Sequence, residues 1–245
     1  SVTTPSSQAT NVSFSSVGYT QTDISWTNGD GDRRAVFVKE ANTGTSLPVD
    51  DSSYSANAAF ESGDQIGSTG WYCVYDGTGT SVTVTSLTLG TEYIAHAVEY
   101  STSGSTYKYL TDSDTNNPNT QTTNTVSEPT TQASGLSFSS VSATQMDLSW
   151  TGGDGTSTVV FVKQASTGTA TPVDDTEYTA NAAFESGTQI DSTGWYAVYS
   201  GSGTSVTITG LSGSTAYIAQ AFEVNSSGST FNYLTDTATN NPKSQ

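Results

Sequence analysis

The 245-residue chain has one cysteine, one histidine and six Lys plus Arg residues, and each scarcity excludes something. Cys73 alone forms no intrachain disulfide. Its counterpart in a second copy of the sequence is Ala197, so the thiol reads as a small buried side chain rather than a nucleophile. His96 alone, with Gln220 at the matching position, leaves a Ser/His nucleophilic site without a base that both copies share. Against six cations stand 23 Asp and Glu, a net charge of −17 that repels phosphate backbones and anionic lipid. Neither nucleic acid nor membrane insertion is expected, and no apolar run is long enough for a transmembrane helix. A Gly-rich phosphate loop and a Cys/His metal cluster are absent from the sequence. Apolar spacing of three and four residues never lasts beyond two turns, which removes the amphipathic helix as a building unit.

What is abundant is Ser, Thr, Gly, Asn and Asp, with Tyr and Trp placed at regular intervals. Ser and Asn compete with helical hydrogen bonds, whereas Thr, Val and Tyr suit a pleated surface. The chain therefore reads as all-β. Sliding the sequence by 124 positions superposes Trp26 on Trp150, Pro48 on Pro172, Trp71 on Trp195 and Tyr93 on Tyr217. Roughly three in five positions are identical without a gap, the mark of a duplicated unit. Domains are expected over 1–121 and 130–245. The polar run 122–129, without apolar periodicity, reads as a linker between them. The beginning of the chain resembles the sequence after that linker and its end the sequence before it, so both ends read as joints between modules.

Within one copy, seven short strands follow from period-two patterns and turn residues: 12–17, 22–27, 35–40, 70–77, 81–87, 91–100 and 105–111. Such a series makes a β-sandwich. The Trp of the second strand, with Leu87 followed six residues later by Tyr93 in "LTLGTEY", resembles the fibronectin type III pattern; Leu89 and Gly213 stand where that family has Pro. The resemblance assigns core positions to Trp26 and Trp150 and a tyrosine corner to Tyr93 and Tyr217. The combination of "W-T-x-G-x-G", "Y-x-A-N-x-x-F-x-x-G" and "Y-x-V-Y-x-G-x-G-x-S-V-T" further resembles a bacterial subgroup of these domains, which implies strings of such modules in large secreted or surface-attached proteins and an extracellular or cell-surface location. Alternation from Tyr93 puts Ala95, Ala97 and Glu99 inward, and Ile94 and His96 outward. Lys39 is the expected partner for an inward Glu99, and Lys163 for Glu223.

Residues 41–70 form a segment of about thirty residues where that family has a short connection. Tyr54, Phe60 and Ile66 are spaced to fold it back as a structural lid. The adjacent pairs Asp50–Asp51 and Asp174–Asp175 read as turn residues, since glycosidase carboxylates face each other across a cleft. No enzyme is expected. Three binding readings remain. Asp30 and Asp32, at alternate positions of a Gly-rich turn, offer oxygen ligands for calcium, and Asp154 alone recurs. Trp71, Tyr75, Trp195 and Tyr199 are candidates for stacking on a polysaccharide, as a carbohydrate-binding pair accompanying a secreted polysaccharide-degrading enzyme would require. The leading expectation is a non-catalytic extracellular structural or adhesive module: a spacer, a surface-protein shaft or a head-to-tail filament subunit. Its partners would be neighbouring modules or copies of itself, head to tail, through an edge strand or the terminal segment 1–10.

Overall fold

β-branched and aromatic residues alternating with Ser and Thr give the strands, and Gly, Asp and Asn give the turns between them. The structure, a computed structural model, describes residues 2–245; Ser1, the first residue of the terminal segment considered above, lies outside the described residues. The chain divides into unit 1, Ser1–Thr125, and unit 2, Val126–Gln245.

Unit 1 has eight strands: β1 (Thr10–Ser15), β2 (Thr22–Thr27), β3 (Arg33–Glu40), β4 (Tyr72–Gly77), β5 (Ser81–Val84), β6 (Glu92–Ser103), β7 (Thr106–Tyr109) and β8 (Asn119–Thr122). Unit 2 repeats them as β9 (Ser134–Ser139), β10 (Gln145–Thr151), β11 (Ser157–Lys163), β12 (Tyr196–Gly201), β13 (Ser205–Thr209), β14 (Ile218–Ser227), β15 (Thr230–Tyr233) and β16 (Lys243–Ser244). In unit 1 a sheet of order β1-β2-β5 faces a sheet of order β4-β3-β6-β7, with β8 also paired to β6; unit 2 has the same order. All pairings between strands are antiparallel. Each unit is a fibronectin type III-like sandwich of two sheets. The eighth strand is the addition to the sequence reading: β6 is 12 residues long, so one end pairs β7 and the other pairs β8.

Between the sheets of unit 1 lie Trp26, Val36, Val38, Val74, Tyr93 and Ala97. A second apolar cluster, with Phe37, Ile66, Trp71, Cys73, Val98 and Tyr109, lies on the other face of the larger sheet. Segment 41–70 covers that face, so β3 and β6 are buried on both sides. Here the alternation argument fails. Ile94 and His96 do leave the sandwich core, but they enter this outer core and not solvent.

The run shared without change, "ANAAFESG", shows how the segment is shaped. The Asn57 side chain accepts from the Ala59 N–H (2.9 Å), and Phe60 N–H donates to the Thr85 carbonyl (2.9 Å). Phe60 then enters the sandwich core, edge-on to Tyr72 and Tyr93. At Gly63 the backbone passes so close to β4 that a Cβ would lie 2.0 Å from the Cys73 carbonyl oxygen. Only glycine fits there.

Residues 122–129, expected as a linker, are folded onto the units. Thr123 N–H donates to the Thr91 carbonyl (3.0 Å), and Asn124 N–H donates to the Gly18 carbonyl (2.9 Å). Within unit 2 the Ser127 carbonyl accepts from Asn225 (3.0 Å), and the Val126 carbonyl accepts from Asn232. The backbone of this polar run pairs with turn carbonyls in unit 1 and with strand side chains in unit 2, a role that composition does not distinguish from solvation.

Candidate functional site

β2 and β6 carry the residues carried over from the resemblance. Trp26 and Trp150 are buried between the sheets, each against a tyrosine of the neighbouring sheet, Tyr75 or Tyr199, with ring centroids about 5 Å apart. The Tyr93 hydroxyl accepts from the Thr88 N–H and the Tyr217 hydroxyl from the Ser212 N–H, both at 2.9 Å. Each of these tyrosines thereby ties β6 or β14 to the turn before it.

The four candidate sugar-stacking residues sit elsewhere than a stacking platform requires. Trp71 and Trp195 are 4% and 2% exposed, inside the outer core beneath the inserted segment. Tyr75 and Tyr199 are half-buried, and their hydroxyls accept from the Gly79 and Gly203 N–H groups of the following turn. The two indole rings are therefore closed to solvent. The calcium candidates also have protein partners. Asp30 accepts from Ser6 N–H, Ser6 Oγ–H and Ser7 N–H, while Asp32 accepts from Thr102 N–H (3.1 Å) on another strand. Asp154 repeats the first pattern with Thr130 and Thr131. The Ser6 hydroxyl and then the Ser7 N–H hold the Asp30 carboxyl below the ordinary carboxylate range. Among the described residues no group of three or more His, Cys, Asp or Glu is placed to hold a metal.

The Asp pairs are strand clamps rather than self-contained turns. Asp51 N–H donates to the Tyr107 carbonyl (3.0 Å), and its carboxylate accepts from the Tyr107 N–H (3.2 Å). Asp50 accepts from the Tyr109 N–H (3.0 Å) and from Lys108 Nζ (2.9 Å). Asp175 and Asp174 do the same to Phe231 and Tyr233. β7 and β15 would otherwise show bare edges, so the clamp supplies partners that a neighbouring chain could take. The Tyr109 N–H, and after it Lys108, holds the Asp50 carboxyl below its ordinary range. Asp50→Ala should accelerate hydrogen exchange at the Tyr109 amide roughly tenfold, leaving β3 amides unaffected; unchanged exchange would show that the clamp is not closed in solution.

Glu99 is fully buried, and its partner is Arg34, not Lys39. Arg34 Nε donates to Oε1 (3.1 Å) and Nη2 to Oε2 (2.9 Å), a two-pronged pair, and the Gly29 and Gly31 N–H groups also donate to the carboxylate. The register explains the choice: Arg34 stands opposite Glu99 across β3–β6, whereas Lys39 stands opposite Ile94, five residues further along β3. The Lys39 stem lies over Gly70 instead. In unit 2 the residue at the Arg34 position is Thr158, whose hydroxyl donates to Glu223 (2.8 Å). Lys163 likewise lies over Gly194.

A concave site exists in unit 1, about 320 Å³, bounded by Arg33, Ser53, Asp76, Tyr100, Tyr107 and Tyr109 among others. Arg33 is paired with Asp76 (3.1 Å), and the Tyr100 hydroxyl donates to the same carboxylate (2.6 Å). Burial raises the Tyr100 pKa, with the Asp76 hydrogen bond adding to it, so this phenol remains a proton donor. Unit 2 has Ser157, Ser200 and Val224 in place of Arg33, Asp76 and Tyr100, so the polar lining is not common to the copies. Cys73 is no nucleophile here, because burial pushes its thiol up to about 12.

No family model matches the sequence, and no curated protein matches it. Among solved structures, the chain is similar to a two fibronectin type III domain segment from chicken tenascin, at 16% identity and TM-score 0.29, over 97% of each chain. It is also similar to the central fibronectin III array of RIM-binding protein, at 12% identity and TM-score 0.30, over 94% of this chain and 67% of that one. The fold assignment rests on the strand order described above.

Proposed function

We propose that the chain is a non-catalytic extracellular tandem module that acts as a structural or adhesive spacer. One observation carries this reading. The side chains that both copies hold in common in and around the insert are turned onto the module itself: Asp50 and Asp51 onto β7, Phe60 into the sandwich, Trp71 beneath the segment. What the insert preserves in both copies is a stiffened sandwich, and the concavity rimmed by Arg33 and Asp76 has that polar lining in unit 1 alone. The high negative charge suits a hydrated surface that keeps neighbouring modules apart.

A carbohydrate-binding role is the competing reading, and it draws its remaining support from Tyr107 beside Arg33 and Asp76 in that concavity. Affinity electrophoresis against a panel of soluble polysaccharides, with sedimentation velocity over a range of concentrations, separates the two. The spacer reading expects unretarded migration and a constant single-chain mass. Retardation that Tyr107→Ala abolishes would replace it with the carbohydrate reading. Mass rising with concentration would replace it with a self-assembling filament subunit.

A further inference from the structure

The first and last segments of unit 1, residues 6–18 and 110–124, lie side by side and run in the same direction. Along the first segment, the partners on the last one advance with it. Gln8 reaches Leu110 and Asp112, the Asn11 N–H donates to the Thr115 carbonyl (2.8 Å), and the Val12 N–H donates to the Asn116 carbonyl (3.0 Å). The Val12 carbonyl accepts from Asn119 Nδ2 (2.8 Å), and the Val17 carbonyl from Asn124 Nδ2 (2.7 Å). Tension applied along the chain, between residues before Gln8 and residues after Asn124, draws these two segments past each other in opposite senses. The bonds between them are then loaded together, whereas a hairpin pulled open at its ends loses its bonds one at a time.

β1 has its ladder partner, β2, in the smaller sheet, and toward the larger sheet the first segment is held by two buried carboxamides. Gln8, 6% exposed, uses both groups of its amide twice: Oε1 accepts from the Ala9 and Glu99 N–H groups (both 2.9 Å), and Nε2 donates to the Leu110 and Asp112 carbonyls. Asn117, 1% exposed, donates through Nδ2 to the Ala9 and Ala97 carbonyls (both 2.7 Å), and its Oδ1 accepts from the Ala97 N–H (3.0 Å). Ala9 is thereby gripped at both backbone groups and tied to β6, an inner strand of the larger sheet. Just ahead of it, the Asp30 carboxylate accepts from the Ser6 and Ser7 N–H groups. Unit 2 repeats both amides bond for bond, with Gln132 on Ala133, Glu223, Leu234 and Asp236 and with Asn241 on Ala133 and Ala221. The backbone bond recurs as well, from the Gly135 N–H to the Thr239 carbonyl (2.8 Å).

We propose that these carboxamides are a tension clamp: Gln8 with Asn117, and Gln132 with Asn241, hold the entering segment to β6 and β14 and make each unit a load-bearing link. What separates a clamp from ordinary buried hydrogen bonding is its place. Every bond that the two amides make lies on the segment that a pull along the chain would draw out first, or on the strand that resists it. The groups they serve are closed to water, so losing either amide leaves backbone donors and acceptors without a substitute. The inference rests on the spacer reading for the source of the load, while its test reads only the response to force, so that either can fail without the other.

The test is constant-force stretching of the full chain, held at its two ends, which gives the lifetime of each unit under load. Gln8→Met keeps the length of the side chain and removes its hydrogen bonds. One of the two unfolding steps should become roughly tenfold faster, while the other, from the intact clamp of unit 2, keeps its lifetime as an internal reference. Ile66→Val and Ile66→Ala, in the outer core beneath the insert, bracket the same loss of equilibrium stability in denaturant and should shorten the lifetime under load far less. Unchanged lifetime in Gln8→Met, or equal shortening by the Ile66 variants at matched equilibrium loss, would overturn the clamp. A second measurement leaves the clamp residues untouched. Ser103→Cys, at the exposed β6–β7 turn, moves one handle past the first segment, so unit 1 should yield faster than when pulled from the chain's beginning. Equal lifetimes for the two attachments would count against the proposal.

Discussion

Truncating Arg34 to Ala should destabilise unit 1 by about 3–5 kcal/mol, because it strands the Glu99 carboxylate in a site closed to water. The two-pronged contact and the burial of both partners put this pair outside the range of surface ion pairs, whose worth is about 0–1 kcal/mol. The Gly29 and Gly31 N–H groups remain on the carboxylate and keep the loss from being larger. Unit 2 supplies the rescue. Arg34→Thr copies Thr158, whose hydroxyl serves Glu223, and should recover part of the loss. Replacing both partners, as Arg34→Met with Glu99→Leu, should cost less than Arg34→Ala alone, since no charge is then stranded. Denaturant unfolding followed through unit 1 resonances gives all three values. Equal losses for Ala and Thr would show that the hydroxyl cannot substitute for the guanidinium.

Lowering the pH from 7 to 4 should remove about 3 kcal/mol from unit 1 through His96 alone. Burial pushes its pKa down to about 4 from the ordinary 6.5. Between those values the unfolded chain binds a proton that the folded one does not. The contribution is therefore complete above pH 6.5 and is lost progressively as pH falls toward 4. The Ser46 N–H donates to Nδ1 (3.1 Å), which places the proton of the neutral ring on Nε2. Unit 2 holds the same position without a titrating group: Gln220 Oε1 accepts from the Ala170 N–H (2.7 Å). The paired substitution His96→Gln with Ser46→Ala should flatten the pH dependence by that amount. Carboxylates titrate in both proteins, so the difference between them isolates the histidine. Identical pH profiles would mean that His96 is protonated in the folded unit.

How much of this was legible in the sequence depends on distance along the chain. β2 was read with its observed bounds, since "TDISWT" alternates cleanly with one face in the core and the other toward solvent. β6 was read with the right inner face, Tyr93, Ala95 and Ala97, and the wrong account of the other, because alternation assumes an uncovered sheet. The spacing of Tyr54, Phe60 and Ile66 marks the insert as a lid but not what it covers: Trp71 and Trp195, candidates for a sugar contact, are its floor. Glu99 was placed inside correctly, while its partner was missed, since the choice between Arg34 and Lys39 is a matter of cross-strand register and not of sequence spacing. The duplication held a usable signal. Ser46 and His96 change together to Ala170 and Gln220, as contact partners do.

The way the insert is fastened limits how the module can come apart. Its middle, at Phe60, is embedded between the sheets, while Tyr54, Ile66 and Trp71 on either side lie on the opposite face of the larger sheet. A flap anchored on one face could peel off and leave the sandwich standing. This one wraps around an edge of the sheet, so lifting it draws an aromatic side chain out of the sandwich core as well. Partial opening then has few inexpensive steps, and a protease that needs a long unfolded stretch finds thirty residues of nominal loop with no local route to release them.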